Sequence, residues 1–203
     1  MEAFLVSVSV VALAEMGDKT QLLAFALAAK VRHRVPIALG ILVATLANHF
    51  LAGWIGVWLA TLVAPGTLRW IVAASFFVFG LWTLKPDEPG GHRDLPGAGV
   101  FVTTVVSFFL IEIGDKTQLA TVALAARFDS LVPVVMGTTL GMMIADVPAV
   151  WAGEALSRRV NMKWMRWVAA ALFILLGGLT LLAGDDAMRA TPLRPPQSTT
   201  PER

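Results

Sequence analysis

Cysteine and tyrosine are both missing from this 203-residue sequence, and charged residues make up only 15% of it. The lack of cysteine excludes a disulfide framework, a thiolate metal site and a cysteine nucleophile. With only three histidines as well, the chain is poorly equipped as a copper or zinc specialist. A formal net charge of +2 is too small to argue for nucleic acid, and the basic residues fall in short segments between apolar runs. What the chain has in quantity is apolar: 57% hydrophobic residues and a mean hydropathy of +0.72, beyond what a soluble domain carries. The expected fold class is therefore all-α, a polytopic membrane protein in contact with lipid.

Charge is scarce, yet it is concentrated in a stretch that occurs twice. Glu15-Met16-Gly17-Asp18-Lys19-Thr20-Gln21-Leu22 returns 97 residues later as Glu112-Ile113-Gly114-Asp115-Lys116-Thr117-Gln118-Leu119. Each copy lies inside apolar sequence, where an ionised group costs roughly 2.5–3.5 kcal/mol at a helix centre. For six such groups left unpaired the cost is on the order of 15–20 kcal/mol. A chain that repeats this arrangement uses the charges for something.

The same offset holds without a gap at Pro36 and Pro133, Gly40 and Gly137, Trp54 and Trp151, Gly56 and Gly153, Arg69-Trp70 and Arg166-Trp167, and Gly80 and Gly177. Two unrelated apolar helices would not keep register at Pro, Gly, Trp and Arg together. The chain is an internal duplication, with repeat one at 3–85, a Gly- and Pro-rich linker at 86–98 and repeat two at 99–184. Together these form a single transmembrane domain, 1–184. Residues 185–203 have no apolar periodicity and read as a disordered tail. Six transmembrane helices are expected, at about 3–30, 36–63, 68–84, 99–127, 132–156 and 164–183. The apolar run ending Ala12-Leu13-Ala14 resembles a signal-peptidase site. Glu2, the lack of an early basic residue and the same run ahead of the second motif favour a retained span.

Three spans per repeat is odd, so the second repeat enters the membrane from the opposite side. The expected result is two inverted three-helix repeats, an arrangement typical of secondary transporters. Lys30, Arg32, Arg34, Lys85, Arg93, Arg158, Arg159, Lys163 and Arg166 gather on one side, against Arg69, Arg127 and Arg189 on the other. The positive-inside rule then makes the central loop, 85–98, cytoplasmic and puts both termini outside.

On a continuous helix Glu15, Asp18 and Lys19 would crowd one face, continued by Gln21, and the second copy would repeat this with Glu112, Asp115, Lys116 and Gln118. Inverted symmetry would bring the motifs together near the midplane. Four carboxylates and two ammonium groups carry a formal charge of −2, suited to one divalent cation. Carboxylate, amide and hydroxyl donors, with Thr20, Thr117 and Asn48 in support, suit hard ions such as Mn²⁺, Ca²⁺ or Mg²⁺. Emptied of metal in a low-dielectric site, the carboxylates favour their neutral form, so exchange of cation for protons is a natural consequence. The bland alternative is that Glu15–Lys19 and Glu112–Lys116 are intrahelical ion pairs that only neutralise each other. It leaves Asp18 and Asp115 unaccounted for. Asp146, mid-span in the fifth helix, reads as functional. Asn48 reads equally as ligand or as helix–helix glue. His49 aligns with Asp146 in the repeat, Gly137-x-x-x-Gly141 reads as a close-packing surface, and the Trp residues read as interface belts. Glu154 is expected at a span end.

The doubled Glu-x-Gly-Asp-Lys-Thr motif resembles the family of small cation transporters that includes the Golgi manganese/calcium transporters and the bacterial manganese exporters. The resemblance covers nearly the whole chain, about 3–184. It implies an inner-membrane exporter of Mn²⁺ or Ca²⁺ driven by protons, with no cofactor beyond the transported ion. By motif position, Glu15, Asp18, Glu112 and Asp115 handle the metal, supported by Lys19, Thr20, Lys116 and Thr117. Two other readings compete. An acidic site also suits an exporter of an amino acid or other organic cation, although the built-in lysines would repel an ammonium group. An intramembrane aspartyl protease would pair Asp18 with Asp115, but its Gly-x-Gly-Asp and Tyr-Asp signatures are not met, since Glu stands two before each Gly and tyrosine is absent. The expectation is a transporter and no enzyme.

Overall fold

Apolar segments surrounded by lipid must satisfy their backbone groups internally, and for an open chain that means helix. The computed structural model describes residues 1–31, 33–85, 98–152 and 162–183, which form eight helices and no strand. In chain order they are α1 (Glu2–Glu15), α2 (Lys19–Lys30), α3 (Arg34–Leu62), α4 (Pro65–Thr83), α5 (Val100–Glu112), α6 (Lys116–Phe128), α7 (Leu131–Ala152) and α8 (Met162–Leu182). Arg32, Arg93, Gly153, Glu154, Arg158, Arg159, Arg189, most of the linker and the 185–203 tail lie outside the described residues.

Among the described residues, four stretches are long and apolar enough to cross a membrane: Arg34–Leu62, Pro65–Thr83, Leu131–Trp151 and Lys163–Leu182. The stretches 3–30 and 99–127, expected as single spans, are each divided at the charged motif. Their halves run 14, 12, 13 and 13 residues, each short of the roughly 20 that a crossing needs. The cause is local. Gly17 and Gly114 sit at φ +85° and +77°, in the left-handed region that residues with a Cβ avoid. One such residue ends a helix, and the chain restarts within a few positions.

The two repeats meet by reciprocal contacts. A Cβ on Gly40 of α3 would lie 2.7 Å from the Thr104 Cβ and 3.1 Å from the Phe101 carbonyl of α5. On Gly137 of α7 it would lie 2.8 Å from the Ser7 Cβ and 2.6 Å from the Phe4 carbonyl of α1. Ser7 and Phe4 are the repeat equivalents of Thr104 and Phe101. The same exchange joins α4 to α8, where Gly80 faces the Ala170 carbonyl and Gly177 faces that of Ala73, again equivalents. Phe76 packs on its own equivalent, Phe173, with ring centroids 6.3 Å apart. Contacts in which i meets j and j's counterpart meets i's are the mark of an isologous pair.

Two apolar cores flank the junction. Phe76, Phe79, Leu124, Val134, Phe173 and Leu176 fill one. Leu23, Leu27, Ile37, Ile41, Phe108 and Val150 fill the other. The outside of the molecule is apolar too, with Val43, Phe50, Trp54, Trp58, Ile71 and Leu175 all exposed. Its buried set, by contrast, includes Glu15, Asp18, Glu112, Asp115, Lys116 and Asp146. Oily surface around a charged interior is the distribution expected of a protein dissolved in lipid.

The glycine contacts yield a controlled test. Gly137→Ala pushes a methyl group into a backbone carbonyl that cannot move cheaply, and overpacking of this kind costs about 1–3 kcal/mol. At Gly178, inside α8 with nothing within 4 Å of an added Cβ, alanine meets no clash and gains helix propensity. Thermal unfolding in detergent should show a lower Tm for Gly137→Ala and Gly40→Ala, and an unchanged or higher one for Gly178→Ala.

Candidate functional site

Each motif builds a helix break and a helix start in the same few residues. Glu15 and Glu112 are the last residues of α1 and α5, so the two carboxylates stand at helix C-termini, beside carbonyls that carry partial negative charge. After the left-handed glycine, Asp18 and Asp115 cap the next helices. Asp18 accepts the Lys19 backbone N–H at 2.7 Å, and Asp115 accepts that of Thr117 at 3.4 Å. The glutamine three residues on reaches back, with Gln21 Oε1 accepting from the Gly17 N–H at 3.0 Å and Gln118 Oε1 from the Gly114 N–H at 2.7 Å. This is close to a capping box, shifted one residue toward the glycine. It gives Gly, Asp and Gln of the motif a structural task that helical spacing alone did not reveal. The expectation that Glu15, Asp18 and Lys19 share one face of a continuous helix is thereby overturned, because the helix ends between them.

The free amide of each glutamine then crosses to the other repeat. Gln21 Nε2 donates to the Ala145 carbonyl of α7 at 2.9 Å. Gln118 Nε2 donates to Asn48 Oδ1 of α3 at 3.2 Å, and Asn48 in turn donates to the Phe109 carbonyl at 3.0 Å. Ala145 and Asn48 are repeat equivalents. Asn48 is thus placed as a bridge between helices, holding Gln118.

The lysines cross as well. Lys19 Nζ lies 2.7 Å from Asp115 Oδ1, and Lys116 Nζ lies 3.0 Å from Asp18 Oδ2. The lysine of each motif therefore pairs with the aspartate of the other. The two pairs are not equally sheltered: the Lys19 side chain is 21% exposed and that of Lys116 only 3%.

The glutamates remain, both fully buried. Thr20 donates its hydroxyl to Glu15 Oε2. Thr117 Oγ1 lies 3.4 Å from Glu112 Oε2 and 3.1 Å from Asp115 Oδ2, and its single proton serves one or the other. One oxygen of each glutamate, Oε1, has no hydrogen-bond partner among the described residues. Glu15, Glu112 and Asp115 bring carboxylate oxygens within 4.8 Å of one another, and all three are buried. Like charges at that range repel strongly in a low-dielectric interior, and a bound cation relieves the repulsion. Asp146 is fully buried with both carboxylate oxygens unpartnered among the described residues, and it lies within electrostatic reach of Glu15 and Glu112. His49, its equivalent, is buried with both ring nitrogens unpartnered among the same residues.

An all-helical chain with an oily exterior and converging oxygen donors at paired helix breaks has the features of a membrane protein that handles a hard cation. Comparison with known proteins narrows the class. The family model for the divalent cation/proton antiporter GDT1 matches residues 3–90 and 100–188. A Vibrio cholerae protein named "Putative manganese exporter" is 44% identical over 87% of this chain and 88% of its own length. A GDT1-like protein of Synechocystis, sll0615, is 29% identical over 86% of this chain and 94% of its own. GDT1-like protein 5 of Arabidopsis thaliana is 26% identical over 92% and 98%. No solved structure matches the chain. This chain belongs to the GDT1 family of divalent cation/proton antiporters. The family is one of membrane transporters, not of enzymes, as the duplicated motif implied.

The crossed ion pairs make a prediction about stability. Removing one partner of a buried pair leaves an uncompensated charge and costs roughly 3–5 kcal/mol, whereas a partly exposed pair loses less. Lys116→Met should therefore lower the Tm in detergent more than Lys19→Met. Adding Asp18→Asn to Lys116→Met should recover much of the loss, and adding Glu112→Gln should recover less.

Proposed function

We propose that this protein exports Mn²⁺ across the inner membrane in exchange for protons, through one site made jointly by the two motifs. The observation that carries the reading is the convergence of Glu15, Glu112 and Asp115, one from the first repeat and two from the second. Glu15 and Glu112 act as the principal metal ligands. Asp18 and Asp115 close the site through their lysines, and Asp115 is near enough to reach the ion when its lysine moves. Thr20 and Thr117 orient the glutamates, while Gln21 and Gln118 hold the helix breaks open and tie each to the opposite repeat.

Oxygen-only donors suit Mn²⁺, Ca²⁺ and Mg²⁺ alike. The name of the Vibrio cholerae relative favours Mn²⁺ among them. Proton exchange follows from the site's chemistry, since ligating carboxylates must be ionised and are stranded in low dielectric when the metal leaves. Two inverted three-helix repeats complete the proposal, with the broken helix pairs α1–α2 and α5–α6 serving as the first and fourth crossings. The short central loop then faces the cytoplasm and both termini face outward, as the distribution of basic residues supports. Lys19 and Lys116 stand beside the site and disfavour an ammonium-bearing organic substrate.

The test is metal-dependent proton flux in proteoliposomes, scanned across Mn²⁺, Ca²⁺, Mg²⁺ and Zn²⁺. Mn²⁺ should drive counterflow of protons, and Glu15→Gln or Glu112→Gln should each abolish it in protein that remains folded. Mn²⁺ movement without proton flux would contradict the exchange, and normal transport by either variant would contradict the site. Competition between metal and protons also sets a direction with pH. Apparent Mn²⁺ affinity measured by calorimetry should fall steadily from about pH 8 to about pH 5.5, and a flat profile would point to another coupling ion.

A further inference from the structure

The four charges of the crossed pairs cancel. Lys19 answers Asp115 and Lys116 answers Asp18, and of the buried carboxylates among the described residues Glu15, Glu112 and Asp146 belong to neither pair. A carboxylate kept for structure would have its oxygens hydrogen-bonded by neighbours, because an unsatisfied buried polar group is costly. Asp146 has neither oxygen satisfied among the described residues, although it is wholly buried.

Its position in the fold is fixed by the way α7 lies along α1. Gly137 meets Phe4 and Ser7, and one turn on Gly141 meets Val8, Val11 and Ala12. A further turn brings α7 to the level of the helix break, where the Ala145 carbonyl takes the amide of Gln21. Asp146 is the next residue, level with the end of α1 at Glu15, and it is an electrostatic neighbour of both Glu15 and Glu112. In the other half of the molecule the equivalent place on α3 holds His49. The two halves share a motif, yet only one of them adds a third carboxylate.

We propose that Asp146 is a direct ligand of the transported divalent cation, donated by α7 alone, so that the site has one more anionic donor in the second repeat than in the first. The proposal rests on the reading of Glu15 and Glu112 as the cation site. Asp115 is committed to Lys19, and Asp146 is the carboxylate available to the ion without breaking a pair. The duplicated motif accordingly builds a site that is symmetric in its glutamates and asymmetric in its third donor.

The experiment is Mn²⁺ binding to the purified full chain in detergent near neutral to mildly basic pH, with free Mn²⁺ read from its electron paramagnetic resonance signal. Asp146→Asn and Asp146→Ser should each bind Mn²⁺ at least about tenfold more weakly than the unmodified protein, because even groups behind the ligands cost that much. Asp146→His replaces an oxygen donor with a nitrogen and should shift relative affinity from Mn²⁺ toward Ni²⁺. A residue acting only on structure would leave that order of metals unchanged, and an unchanged order overturns the proposal. So does Mn²⁺ binding equal to the unmodified protein in either neutral variant while Glu15→Gln has lost it. If Glu15→Gln itself binds normally, the underlying site assignment fails, and this proposal with it. Failure of both neutral variants to fold would show Asp146 to be structural and would also overturn it.

Discussion

Everything in this structure depends on the two ion pairs that cross between the repeats. Four charges in an oily interior would be prohibitive if left alone, and pairing within one helix would have neutralised each motif separately. The lysines pair instead with the opposite aspartates, Lys19 with Asp115 and Lys116 with Asp18. Neither motif is electrically complete without the other. The pairing therefore links the two repeats, and the glutamates of both motifs take no part in either pair.

The helix breaks make that crossing possible. Had α1 run on through Gly17, the side chains of Glu15 and Lys19 would have faced each other one turn apart. The left-handed glycine turns the chain so that the aspartate caps a new helix and the lysine, at its first position, projects toward the neighbouring repeat. The end of one helix supplies carbonyls and a glutamate, and the start of the next supplies an aspartate and a lysine. In the proposed site the first set would face the cation and the second would stand beside it as the crossed pairs. Close packing at Gly40 and Gly137 seats α3 against α5 and α7 against α1.

Much of this was legible in the sequence, for definite reasons. The 97-residue register, carried by Pro, Gly, Trp and Arg, is read directly from the sequence, and the doubled motif announced the family. Gly17 and Gly114 are the sequence signal of the helix break, since glycine adopts the left-handed conformation seen at both. The capping task of Asp18 and Gln21 was missed because helical spacing was applied across a point where the helix stops. An aspartate after glycine with glutamine three residues later was the available signal. The partners of Lys19 and Lys116 were not legible, since they depend on which side of each motif the other repeat presents. Asn48 reads in the sequence as ligand or glue, and its hydrogen bonds run to the Phe109 carbonyl and to Gln118. Asp146 could be singled out as a charge in an apolar helix, but its place beside Glu15 emerges only from the packing of α7 on α1.

The central claim is that two motifs make a single cation site. Equilibrium binding of Mn²⁺ to purified protein, with bound metal counted per chain, addresses it most directly. The account predicts saturation at one high-affinity Mn²⁺ per chain, because the glutamates of both repeats serve the same ion. Two equivalent ions per chain, one for each motif, would contradict it.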